Sequence, residues 1–251
     1  MPALPPEFLR RPVAHRGLHG PGVPENSLAA FRAAVAAGYG IECDIQQGAD
    51  GTPVVFHDDD LHRLTGRDGP IRACAADELA RLRLLGSDQP VPTLRQMLDE
   101  VAGRAPLLIE IKDQDGALGA DVGDLQDRVA EVLQGYAGPV AVMSFNPETA
   151  ARFHAAAPGI AVGLTTCGFH ADDWPGVAAP DRARLAGIED FARSGASFVS
   201  HQFRELKNPA VQRLKAQGVP VLCWTIRSAQ DEAVARLDAD NITFEGYAPD
   251  L

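Results

Sequence analysis

Four short charged strings in this chain have the residue types for acid–base and metal chemistry, and each closes an apolar run. His15-Arg16-Gly17 follows Pro12-Val13-Ala14, and Glu42-Cys43-Asp44 follows Gly40-Ile41. His57-Asp58 closes Pro53-Val54-Val55-Phe56, and Glu110-Ile111-Lys112 closes Leu107-Leu108-Ile109. Ionisable groups are costly in a protein interior unless they are paired or bound to a metal. Their recurrence at the ends of successive short strands therefore implies one site built by a scaffold.

Side chains two apart on a strand point the same way. Glu42 and Asp44 thus share a face, with Ile41, Cys43 and Ile45 on the other; Glu110 and Lys112 share a face, with Ile109 and Ile111 opposite. Three carboxylates directed at one axis cannot all stay ionised without a cation. An all-oxygen donor set favours a hard divalent ion, Mg²⁺ or Ca²⁺, over zinc. His15 and His57 flank that cluster and suit general acid and general base work near neutral pH. Arg16 and Lys112 supply positive charge for an anion, the Arg fork suiting a phosphate. Trp224, at the end of a later strand, offers an apolar wall for a substrate. Glu25 lies in the loop after the first strand, within reach of the same rim, while Asn26-Ser27 has the chemistry of a helix cap. His19, His62, His154 and His170 read as surface or loop residues, and His201 as a strand-end residue with a weak claim on the pocket.

The elements that must position these groups alternate regularly. Candidate strands are Pro12–His15, Ile41–Gln46 with Thr52–His57 as a hairpin-like unit, Leu107–Lys112, Val140–Ser144, Ile160–Thr165, Phe198–Ser200, Val219–Trp224 and Asn241–Phe244. Candidate helices are Leu28–Ala37, Leu94–Ala102 capped by Thr93, Asp124–Gln134, Glu148–Ala156, Arg182–Ser194, Pro209–Gln217 and Ala229–Leu237 capped by Ser228, most of them stopped by a Gly. About eight strand–helix positions predict the α/β class and a single (β/α)8 TIM barrel over residues 1–251, with a short elaboration after the second unit. That elaboration, residues 58–85, is expected at the catalytic face, with a short helix at Asp77–Leu84. A doubly wound sheet is less favoured, because Gly17-Leu18-His19-Gly20-Pro21-Gly22 lacks the G-x-G-x-x-G order.

The 251 residues have 45% hydrophobic and 23% charged content, an ordinary globular balance. A net charge of −11 repels nucleic acid and anionic membranes, so an anionic substrate needs a local positive centre. No nucleic-acid partner and no stable membrane insertion are expected, and no oligomeric state is specified. Cys43, Cys74, Cys167 and Cys223 include no C-x-x-C pair, which suits isolated thiols in a reducing compartment. The start of the chain lacks the basic and apolar regions of a signal peptide, so a cytoplasmic location is expected.

The ordered set of motifs resembles the glycerophosphodiester phosphodiesterase family. The matching pieces are His15-Arg16-Gly17, Pro24-Glu25-Asn26-Ser27, Glu42-Cys43-Asp44, His57-Asp58 followed by Leu61, Arg63 and Thr65, Pro92-Thr93-Leu94, Glu110-Ile111-Lys112, Ser144-Phe145 and Trp224-Thr225. The resemblance implies a (β/α)8 barrel and metal-dependent hydrolysis of a small-molecule glycerophosphodiester to glycerol 3-phosphate and an alcohol. It implies Glu42, Asp44 and Glu110 as metal ligands for Mg²⁺ or Ca²⁺ with Glu25 at or near the metal, His15 and His57 as the acid–base pair, and Arg16 and Lys112 on the phosphate. The chain departs from the family at Ile226-Arg227, where Val-Asn is common, and at Phe244-Glu245-Gly246-Tyr247, where the last strand often ends in Thr-Asp. These changes are expected at the rim, beside the alcohol of the substrate.

Two alternatives carry different expectations. A phospholipase D or C type enzyme acting on lysophospholipids shares the chemistry, but a small lid and an acidic surface fit it less well. A non-catalytic glycerophosphodiester-binding protein would have no need of two proton-shuttling histidines.

Overall fold

Ile41, Cys43 and Ile45 join the apolar layer beneath the helices, whereas Glu42 and Asp44 turn inward. The same alternation runs around the whole sheet of the computed structural model, which describes residues 1–251. The strands are β1 (Val13–Ala14), β2 (Gly40–Gln47), β3 (Pro53–Val55), β4 (Leu107–Ile111), β5 (Val140–Ser144), β6 (Ala161–Thr166), β7 (Phe198–Gln202), β8 (Val221–Ile226) and β9 (Asn241–Phe244). Eight of them form a closed parallel ring in the order β1-β2-β4-β5-β6-β7-β8-β9, with β9 pairing back onto β1. This is a TIM barrel. The ninth, β3, lies outside the ring, antiparallel to β2.

The helices are α1 (Leu28–Ala37), α2 (His62–Thr65), α3 (Ala76–Leu79), α4 (Leu94–Val101), α5 (Leu125–Leu133), α6 (Pro147–Ala156), α7 (Ala179–Ala186), α8 (Pro209–Ala216) and α9 (Ala229–Ala235). The expected caps form: Ser27 Oγ accepts from the Ala30 amide, Ser228 Oγ from Asp231, and Thr93 with Gln96 makes a reciprocal capping box. Two helices differ from expectation. Arg182–Ser194 is replaced by α7 over Ala179–Ala186, started by Pro180 and followed by turns in which Ile188 takes φ +49°. The helix expected at Asp77–Leu84 shrinks to the single turn of α3.

Two cores hold the barrel. The larger lies between strands and helices and includes Phe31, Met97, Leu125, Phe153, Val211 and Phe244. A smaller one fills the barrel below the mouth with Val13, Leu108, Met143, Phe198 and Leu222, and the Pro6–Leu9 3₁₀ turn closes its base with Phe8. Burial of a Phe of this kind contributes about 1.5–3 kcal/mol. Asn241 clamps that plug by donating to the carbonyls of Phe8 and Arg11 at 2.7 and 2.6 Å. The 58–85 elaboration packs its own small core from Leu61, Ile71, Cys74, Leu79 and Leu84 over Val54 and Phe56. No helix is long and apolar enough to cross a membrane.

Candidate active site

The carboxyl ends of the strands surround a cavity of about 310 Å³. His15, Arg16, Glu42, Asp44, His57, Glu110, Lys112 and Trp224 all line it. Of the sequence-predicted site residues, only Glu25 is absent from that lining.

The three acids converge. One ligand oxygen from each of Glu42, Asp44 and Glu110 lies within 4.8 Å of the others, and the residues are 2%, 1% and 6% exposed. Register explains the convergence: β2 and β4 are in step with Asp44 opposite Glu110, and Glu42 sits one inward position lower. Burial, together with the charges of Asp44 and Glu110, raises the pKa of Glu42 well above the usual carboxyl range. Three buried carboxylate oxygens this close could hold a metal ion, whose charge would relieve that opposition.

Lys112 supplies part of that positive charge, with Nζ 2.7 Å from Asp44 and 2.5 Å from Glu110. Burial opposes its charge, but these two carboxylates outweigh it and lift its pKa. Asp44 likewise stays ionised: burial resists, and Lys112, His57, Arg16 and His15 pull its pKa far below the ordinary value.

The His15-Arg16-Gly17 string is a backbone device as well as a set of side chains. Arg16 adopts φ +55°, which turns its amide onto Glu42 Oε2 at 2.9 Å. Gly17 follows at φ +79°, where a Cβ would stand 2.8 Å from the Ala30 Cβ. Only glycine takes that conformation so close to α1 without strain. The loop then lets the Arg16 guanidinium reach Asp44 at 3.3 Å and Glu25 at 2.7 Å.

Glu25, expected near the metal, stands outside the three-acid group. Its carboxylate is held by Arg16 and, through two contacts of 2.8 and 3.0 Å, by Arg63 of α2. Two guanidinium groups outbid a site already crowded with negative charge. Asn26 also departs from expectation. Ser27 alone caps α1, while Asn26, at φ +54°, donates to Asp44 Oδ2 at 2.8 Å and accepts from the Asp44 amide at 3.3 Å. It is an orienting partner for that carboxylate.

His57 follows β3, which doubles back along β2. Antiparallel pairing sets Val55 opposite Ile45, and the Phe56 amide donates to the Asp44 carbonyl. The chain is thereby returned to the level of Asp44. His57 Nδ1 lies 2.7 Å from Asp58, whose carboxylate is also gripped by Arg63. Burial alone would raise the Asp58 pKa, but these hydrogen bonds hold it well below the carboxylate range. His15 mirrors this arrangement, with Nδ1 2.6 Å from Glu245 and Nε2 4.0 Å from Glu42. Burial lowers the His15 pKa, against the opposing effect of the hydrogen bond it donates to Glu245.

Glu245 has no expected role in the residue pattern beyond a place at the rim, beside the alcohol of the substrate. In the structure it is the partner of His15, and it also lies 3.7 Å from His19 and 2.7 Å from Arg227. Its signal was the acid itself, directly after the last strand of a barrel that closes onto the strand leading to His15. His201 is the converse case. It faces away from the cavity, buried between Thr166 Oγ1 at 2.8 Å and the Glu205 carbonyl at 3.1 Å, and burial lowers its pKa to about 4.

Trp224 takes the expected place on the cavity wall, although β8 runs two residues past it. Its indole N–H donates to the Ser200 carbonyl, and its ring meets Phe145 edge-on at 5.6 Å. Phe169 and Trp174, from the loop after β6, back this cluster.

Comparison with known proteins agrees with this geometry. Residues 15–243 match the glycerophosphoryl diester phosphodiesterase family. A glycerophosphodiester phosphodiesterase of Caldanaerobacter subterraneus subsp. tengcongensis is 27% identical over 243 residues, spanning 92% of this chain and 91% of that protein. The crystal structure of a glycerophosphodiester phosphodiesterase from Agrobacterium tumefaciens superposes with a TM-score of 0.67 at 25% identity, over 92% of this chain and 94% of that one. An Oleispira antarctica phosphodiesterase, solved in complex with the product sn-glycerol-3-phosphate, shares the fold with a TM-score of 0.77 at 24% identity, over 95% and 94% of the two chains. The chain belongs to the glycerophosphoryl diester phosphodiesterase family.

Proposed function

We propose that the protein is a metal-dependent hydrolase that cleaves glycerophosphodiesters to glycerol 3-phosphate and a free alcohol, with His15 and His57 as its acid–base pair. The observation that carries this is the convergence of three buried carboxylates on one cavity with two imidazoles, each tethered at Nδ1 by its own carboxylate.

Glu42, Asp44 and Glu110 would hold the cation, Mg²⁺ or Ca²⁺, and Asn26 and the Arg16 amide fix two of these carboxylates. When bound, such an ion neutralises charge on a phosphate oxygen and acidifies a neighbouring hydroxyl. Arg16 and Lys112 orient the phosphate, and Glu25 serves the site by holding Arg16 at the rim. Trp224 forms an apolar wall against which the substrate rests.

In both histidines an Nδ1–H directed at a carboxylate leaves Nε2 as the nitrogen that exchanges protons with substrate. One Nε2 takes the proton of the glycerol 2-hydroxyl as that oxygen attacks phosphorus. The other gives a proton to the departing alcohol. Water then opens the cyclic phosphate with the roles reversed, restoring both histidines. Each histidine contributes about 10²- to 10⁴-fold, the usual range for positioned acids and bases.

Four cysteines, all buried and unpaired, support a reducing, cytoplasmic location. The test of the function is release of glycerol 3-phosphate from glycerophosphocholine with Mg²⁺, Ca²⁺ or EDTA present. Turnover that depends on the ion is the expected result. Tight binding of the diester with no turnover under any of these conditions would favour the binding-protein alternative.

A further inference from the structure

The cavity has a charged side and an aromatic side. β2 and β4 carry the acids with Lys112, while Phe145, Trp224 and Phe203 wall the opposite side. Two more guanidinium groups, Arg204 and Arg227, stand at the aromatic side. All the lining cations but one already have carboxylate partners. Arg16 has Glu25 and Asp44, Lys112 has Asp44 and Glu110, and Arg227 has Glu245. The two histidines have Glu245 and Asp58. Arg204 makes no ion pair. Its guanidinium carbon lies 5.5 Å from the centroid of the Phe203 ring, which holds the group against the cavity wall.

A phosphodiester of glycerol has one negative charge at phosphorus, and glycerol itself is neutral. A second anion in such a substrate can therefore sit only on the esterified alcohol. We infer that Arg204 forms a subsite for the alcohol half of the substrate and selects glycerophosphodiesters whose alcohol carries a carboxylate. The inference rests on the phosphodiesterase assignment proposed above. One unpaired guanidinium balances one carboxylate and offers it a bidentate fork. A net charge of −11 otherwise opposes the extra negative charge of that carboxylate, and a local cation at this end offsets it. A quaternary ammonium alcohol would gain from the aromatic wall but is repelled by Arg204.

Glycerophosphoserine and glycerophosphoethanolamine provide the test, because they differ only by the carboxylate. For the intact enzyme, kcat/KM is expected to favour the serine ester by about tenfold, the size of one partly exposed charge-assisted hydrogen-bond pair. In Arg204→Gln that ratio falls to near one, chiefly through KM of the serine ester, and Arg204→Lys restores part of it. A wild-type ratio near or below one, or a ratio that Arg204→Gln leaves unchanged, overturns the subsite while leaving the phosphodiesterase intact. Failure to cleave either ester, or glycerophosphocholine, overturns the phosphodiesterase assignment and the subsite with it.

Discussion

His15 Nδ1 lies 2.6 Å from Glu245 Oε2, joining the end of the first barrel strand to the end of the last across 230 residues. The hydrogen bond from His15 and the His19 ring 3.7 Å away hold the Glu245 carboxyl far below the usual range, and its other oxygen accepts from Arg227. Glu245 thus sets both the tautomer and the aim of the His15 imidazole. Glu245→Gln keeps the size of the side chain and discards the charge. We expect kcat for glycerol 3-phosphate release to drop roughly 10- to 100-fold with KM little changed, as for other residues that orient an active-site group. Activity within twofold of wild type would show that Glu245 does not position His15 for proton transfer.

His15→Ala and His57→Ala should each cost about 10²- to 10⁴-fold in kcat. The proposed mechanism has the two act in one proton relay, so the double variant should lose much less than the product of the single losses. Circular dichroism and thermal melting of all three should overlay wild type, since neither ring belongs to the apolar cores. Full additivity would show that the histidines serve separate steps.

Glu42 is a buried carboxyl whose neighbours Asp44 and Glu110 oppose its charge. Glu42→Gln relieves that opposition and still accepts the Arg16 amide. The metal-free variant should melt above metal-free wild type, while titration calorimetry should find Mg²⁺ and Ca²⁺ binding weakened by at least about tenfold. A variant that melts lower and binds the ions normally would contradict the three-carboxylate site.

His201 supplies a pH test remote from the cavity. Its pKa falls from an ordinary 6.5 to about 4 in the fold because burial disfavours the imidazolium. The unfolded chain therefore binds more protons between these two values. The stability from a neutral His201 is complete above pH 6.5 and drains away as pH falls toward 4. Between pH 7.5 and 5 the loss is about 2 kcal/mol. Urea unfolding should show that loss in wild type, and His201→Gln should flatten the slope by a similar amount. An unchanged slope would mean that other groups control acid sensitivity.

Gly17→Ala places a methyl group 2.8 Å from the Ala30 Cβ, on a residue at φ +79°. The expected cost is about 1–3 kcal/mol of stability, as for other substitutions that force an L residue into a tight left-handed turn. The turn also presents the Arg16 amide to Glu42, so ion binding should weaken in the same variant. Wild-type stability and ion affinity together would show that the loop re-forms by another route.

The barrel and most of its site were legible in the residues because they rest on short-range rules. Period-two alternation put Glu42, Asp44 and Glu110 on inward faces, and the Ser27, Thr93 and Ser228 caps marked helix starts that formed as read. Strand-end placement of His15 and His57 followed from the same local patterns. Tertiary structure alone decided which charges pair. Glu25 goes to Arg16 and Arg63, Asn26 goes to Asp44 instead of capping α1, and Glu245 reaches His15. Those outcomes depend on ring closure between β9 and β1, on the left-handed turn at Arg16, and on α2 bringing Arg63 to Glu25. No window of sequence encodes such distances. An ionisable group takes whichever opposite charge the finished fold brings within a few ångströms.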